Sequence, residues 1–152
     1  FVPKVQFFKG NPQMADSFMK EELDIPLPIL EFGKYTLAEA LELYKKQPYF
    51  KSLDKNELGD VVNTTSKDFP MMIVWEGEGD YAGKYAIALL FTDDVRVINS
   101  TYIEKFFTGM GWEKYSKSAI PTYIDRKNNV MVQVDQSGNF GGLCLAFSPN
   151  EF

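Results

Sequence analysis

Any chemistry in this chain would have to be done with carboxylates, lysines, tyrosines and serines. The sequence holds 21 Asp and Glu, 16 Lys and Arg, eight Tyr, one Cys and no His. Without an imidazole, its own residues cannot assemble a Ser-His-Asp or Cys-His nucleophile. One thiol and no imidazole cannot fill the tetrahedral shell of a structural zinc site either. The thiol, Cys144, sits in Gly-Leu-Cys-Leu-Ala-Phe and has no disulfide partner within the chain. Its apolar neighbours point to a buried thiol rather than a reactive one.

The acidic residues form two local groups. Glu76-Gly77-Glu78-Gly79-Asp80 puts carboxylates on a flexible loop, a composition open to a hard cation such as Ca²⁺. It matches no complete calcium loop, and a solvated hairpin tip is the plainer reading. Asp93-Asp94 reads as a turn. The glycine runs lie between strands, not ahead of a helix, so neither a phosphate loop nor a dinucleotide fingerprint is present. No catalytic residue, metal set or cofactor is assigned on these grounds. Asn63-Thr64-Thr65 and Asn99-Ser100-Thr101 fit the N-glycosylation acceptor pattern, but the second pair of residues also stands where a helix start needs caps.

Bulk properties narrow the field further. The net charge is −5 and the longest basic cluster is Lys45-Lys46, a poor match to a phosphate backbone, so no nucleic-acid partner is expected. No apolar run approaches the roughly 20 residues a bilayer span requires. The chain opens at Phe1, so a processed or trimmed product is expected, with any targeting segment upstream. At 152 residues, 45 % hydrophobic and 15 % aromatic, it has material for one domain.

The elements that must position these residues are legible in part. Residues 1–11 alternate like a short strand, and Pro12 opens a modest helix to Glu22. Ile25-Pro26-Leu27-Pro28-Ile29-Leu30 must be extended, an arm or an edge strand, because each proline holds its predecessor out of the helical region. Thr36-Leu37-Ala38-Glu39 spells a capping box, followed by the helical stripe Leu37, Ala40, Leu41 and Tyr44, with Pro48 ending it. A shorter helix is expected over Lys55 to Val62, capped by Asp54. Met71–Trp75 and Lys84–Phe91 read as a hairpin. Thr101-Tyr102-Ile103-Glu104 spells a second box, with the stripe Ile103, Phe106, Phe107 and Met110, and Gly111 stands at the left-handed cap. Strands then follow at Pro121–Ile124, Val130–Val134 and Leu143–Phe147. Leu41, Phe106, Phe107 and Cys144 are expected to be buried.

The two hairpins share a pattern. Gly79-Asp80-Tyr81-Ala82-Gly83 and Gly138-Asn139-Phe140-Gly141-Gly142 lie 59 residues apart, and the same offset pairs Met72 with Met131 and Ile73 with Val132. The helices match at an offset of 65, the difference being assigned to the extra Asp54–Val62 connection. The fold expected is α+β: an antiparallel sheet with amphipathic helices on one face, built from two tandem helix-plus-hairpin units. The boundaries are an N-terminal arm at 1–33, unit one at 34–98 and unit two at 99–152, within one domain.

The glycines have local reasons to be there; the aromatic rings do not. Either each ring folds back over its own hairpin, or Tyr81 and Phe140 project together, on one side of the molecule, into a partner. In plan, Asp80-Tyr81 and Phe140 are similar to the hairpin tips of the secreted β-lactamase inhibitors, tandem repeats that carry an Asp-Tyr pair and a Phe into their target. The likeness covers only the hairpins, and the disulfides of that family are absent. The function expected is a non-enzymatic module that binds another protein, or assembles as a subunit of a complex, through Tyr81, Phe140, Asp80 and Asn139. The alternative is a small-ligand or carboxylate-based enzyme domain, with a pocket between helices and sheet and Glu76 or Asp94 at its rim.

Overall fold

A computed structural model describes residues 22–152. The strand-like start at 1–11 and the helix from Pro12, up to residue 21, lie outside the described residues. Eight strands form one antiparallel sheet: β1 (Phe50–Asn56), β2 (Gly59–Thr64), β3 (Met71–Glu76), β4 (Tyr85–Phe91), β5 (Glu113–Tyr115), β6 (Thr122–Asp125), β7 (Val130–Asp135) and β8 (Cys144–Pro149). Their order across the sheet is β1-β2-β3-β4-β8-β7-β6-β5. Helix α1 (Leu37–Tyr44) precedes β1, α3 (Tyr102–Gly109) precedes β5, and a short α2 (Val95–Ile98) follows β4. The class is α+β, as the alternation of periods implied.

Local chemistry explains most boundaries. Thr36 Oγ1 accepts the Glu39 N–H at 3.1 Å and the Glu39 carboxylate accepts the Thr36 N–H at 2.8 Å, the complete reciprocal box. The second box does not form. Thr101 is itself in the helical region, and Ser100 Oγ accepts the Tyr102 N–H instead. Gly111 does take a left-handed φ of 89°, closing α3.

The helix expected over Lys55–Val62 is a strand-turn-strand. Asn56 Oδ1 accepts the N–H groups of Leu58 and Gly59, an Asx turn that reverses the chain. Asp54 caps nothing; its carboxylate takes only the neighbouring Lys55 N–H. Leu41 and Phe106 are partly buried rather than buried, and Met110 is exposed, so both helical stripes are narrower than their spacing suggested.

One hydrophobic cluster holds the molecule together. Ala40 and Tyr44 of α1 and Ile103 and Phe107 of α3 share it with Met72, Val74, Ala88, Leu90, Val132, Val134, Leu145 and Phe147 of the strands. The alternate strand positions Val61, Ile73, Leu89, Phe91, Cys144 and Ala146 form a second, smaller cluster on the other face.

These faces overturn the gapless register read from the sequence. Met72 and Val132 lie in the first cluster, while Ile73 lies in the second and Met131 alternates with Val130 and Val132. Pairing Met72 with Met131 would therefore exchange faces, the consequence of a one-residue slip. The first hairpin also carries a bulge between Trp75 and Glu76, which leaves Ala86 of β4 without a partner in the ladder.

The proline-containing arm is extended and lies outside any ladder, with Leu23, Pro26 and Pro28 buried. Tyrosine hydroxyls fasten it. Tyr44 accepts the Ile29 N–H at 3.0 Å, Tyr85 donates to the Ile29 carbonyl at 2.6 Å, and Tyr49 donates to the Leu27 carbonyl at 2.7 Å. Tyr44 and Tyr85 are themselves hydrogen-bonded. Since the Tyr85 proton goes to Ile29, the Tyr44 hydroxyl is the donor in that pair.

Candidate binding groove

The tips that share a sequence pattern are built differently. In the first, Gly79–Tyr81 makes a single 3₁₀ turn in which the Tyr81 N–H donates to the Glu78 carbonyl. In the second, the Asp135 carboxylate, fully buried, accepts the N–H groups of Ser137, Gly138 and Phe140 at 3.1, 2.9 and 2.8 Å. The equivalent Glu76 of the first hairpin is exposed.

The tips also lie at opposite ends of the sheet. β4 and β8 are antiparallel, with Phe91 against Cys144 and Ala88 against Phe147, so the loops that lead into these strands stand at opposite ends. The expectation that both rings project from one side is therefore not met. Tyr81 folds back and is half-buried: a methyl group added at Gly33 would stand 3.0 Å from its ring, and one at Gly77 only 2.5 Å from its Cβ. Its hydroxyl accepts the Asn129 amide at 3.5 Å, a long contact. Phe140, by contrast, is 40 % exposed. Asp80 and Asn139 are both exposed on their tips.

What joins the two ends is a groove that the sequence did not disclose. One part, about 780 Å³, is lined by Tyr81, Trp75, Ile87, Glu76, Glu78 and Glu151 among others. A second part, about 330 Å³, is lined by Phe140, Leu89, Met131, Gln133 and Ala146. Both include Trp75, Ile87, Ser148 and Glu151, so they adjoin one another across these residues.

The walls follow from the strand faces. Loop 136–142 folds over the Phe91 end of the second face, where a methyl group at Gly142 would stand 3.0 Å from the Phe91 ring. At the β5–β6 side, Phe152 stacks on Tyr115 at 4.6 Å and its carbonyl accepts from Arg126. Trp75 is oriented by donating its Nε1–H to the Leu58 carbonyl. Leu58 and Phe140 are two of the five most exposed large apolar side chains among the described residues.

Of the pocket expected between helices and sheet, the larger part of the groove is the nearest match, since Leu37 of α1 lines it with Glu76 and strand residues; a further recess of about 110 Å³ lies beside α3. Asp94, expected at its rim, instead caps α2 through the Arg96 N–H at 2.9 Å and grips the Arg96 guanidinium at 2.8 and 3.1 Å. Glu76 lines the groove together with Leu37 of α1. Among the described residues, no three His, Cys, Asp or Glu side chains converge as a metal site, and no helix is long and apolar enough to cross a membrane.

Comparison of the chain with protein-family models, curated proteins and solved structures returns no significant match.

Proposed function

We propose that the chain is a non-enzymatic binding module for another protein, with the partner seated in the groove on the second sheet face. Tyr81 and Phe140 frame its two ends, and Asp80 and Asn139 supply polar groups at the tips. The observation that carries this reading is the pair of adjoining cavities, one reaching Tyr81 and the other Phe140, that meet at Trp75 and Ile87. A floor of aromatic and aliphatic side chains, flanked by exposed Phe140, suits the desolvated anchor contacts that dominate protein interfaces.

We also read the molecule as two tandem units with both helices on one face. Each eight-residue helix, α1 or α3, precedes four consecutive strands that pair in sequence order. The shared cluster of α1, α3 and one alternation phase of the strands supports the one-sided placement.

The small-ligand alternative draws support from one feature. The larger part of the groove falls in the volume range of ligand sites, about 300–1,000 Å³. Differential capture separates the readings. Wild-type protein, Phe140→Ala and Ile87→Ser are immobilised and offered the same cell extract. Proteins held by wild type and lost from both variants, at unchanged melting temperature, are the expected result. Identical capture by all three overturns the groove as a protein site.

A further inference from the structure

We infer that the groove takes a basic segment of its partner, with lysine or arginine side chains alternating with aliphatic ones; this rests on the protein-binding reading above. Glu76, Glu78 and Glu151 line the groove and are exposed, and no lysine or arginine lines either part. Several carboxylates elsewhere are neutralised at short range, Glu31 by Lys34, Glu42 by Lys45, Asp94 by Arg96, Glu104 by Lys114 and Glu113 by Arg126, while exposed Asp54, Glu57 and Asp93 are not. The three groove carboxylates make no ion pair with any described residue. Arg126, which holds the carbonyl of Phe152 next to Glu151, is already taken by Glu113.

The combination selects its occupant. A cleft with apolar walls and charge of one sign concentrates the field of that charge and draws in the opposite one. A lysine or arginine can lay its stem along Ile87 and Ala146 while its head reaches the carboxylate rim. The faces of Trp75 and Tyr81 offer the same cation a second attraction. An acidic segment, or a phosphate backbone, would meet unpaired carboxylates and be repelled.

Fluorescence anisotropy with three labelled nine-residue peptides tests this, one alternating Lys and Leu, one Glu and Leu, one Ser and Leu. The expected result is binding of the Lys-Leu peptide alone, weakened about tenfold by the triple variant E76Q/E78Q/E151Q. It should be weakened also by Ile87→Ser, and by raising salt from about 50 to about 300 mM. A control of equal charge change, E22Q/E42Q/E104Q, should bind as wild type does. Equal loss in the control overturns the inference, because net charge and not the groove would then be responsible. Binding of the Ser-Leu or Glu-Leu peptide as tightly, abolished by Ile87→Ser, also overturns it while leaving the groove intact as a protein site. No binding by any peptide overturns it as well, and the capture experiment then reads the groove separately.

Discussion

Burial would by itself push the Asp135 carboxyl up, but the N–H groups of Phe140, Asn139, Ser137 and Gly138 outweigh it and hold the group below its ordinary range. With the folded value below the unfolded one of about 3.9, the stabilisation is complete above that pH and is lost as pH falls through the folded value. Asp135→Asn turns an amide N–H toward donors that need an acceptor, and should cost about 1–3 kcal/mol in urea denaturation at neutral pH. The gap from wild type should close in strong acid. Cys144 is paired with Asp135 across the ladder, and burial, followed by that carboxylate, pushes its thiol up to about 12. A thiol reagent at neutral pH should therefore leave Cys144 unlabelled until the protein is unfolded; prompt labelling would contradict its placement. The burial of Cys144 was legible in its apolar neighbours. The role of Asp135 was signalled only by an acidic residue three places before Gly138, which the matched Glu76 disguised.

At the scale of elements, the same four-letter signal had two outcomes. Thr36→Ala should cost about 1 kcal/mol, the usual loss of an N-cap, whereas Thr101→Ala should stay near neutral because Ser100 does the capping. Thermal melts of the two variants compare them directly. Identical melting temperatures would contradict the assignment. The arm presents a longer-range case. Ile29 N–H, Tyr44, Tyr85 and Ile29 carbonyl form a closed relay of hydrogen bonds, so Tyr44→Phe should cost about 1–3 kcal/mol by leaving a partly buried N–H and the buried Tyr85 hydroxyl without this partner. Burial raises the hydroxyls of Tyr44, Tyr49 and Tyr85 above their ordinary values. Their stabilisation is thus full below the unfolded value of about 10 and is lost as pH rises beyond it. An absorbance titration should find these tyrosines silent until alkaline unfolding. That the arm is extended was visible in its prolines; which hydroxyls fasten it was not, since the partners are 15 to 56 residues away. Strand β1 escaped notice for another reason. Phe50–Asn56 is an edge strand with mostly exposed side chains, so no alternation marks it.

For the whole molecule, the sheet order decides what sequence patterning could not. The antiparallel class and the central hairpins were readable from period and glycine placement. The β4–β8 pairing was not, and it is this pairing that sends the two aromatic tips to opposite ends. Because one cluster takes residues from both halves, unfolding should be a single transition by far-ultraviolet dichroism and tryptophan fluorescence alike. Leu90→Ala, at a fully buried position of β4, should lower that stability by about 2–5 kcal/mol without splitting the transition. The β4–β8 seam has a temporal side as well. Ala88 finds its partner Phe147 only after the intervening chain has been made. During synthesis, at about 5–20 residues per second, Tyr-Ala-Ile-Ala-Leu-Leu-Phe therefore waits for seconds with a bare backbone edge and apolar side chains on both faces. A nascent chain at that stage is a ready template for another strand of the same kind, and a client for a chaperone until β8 emerges to close the sheet.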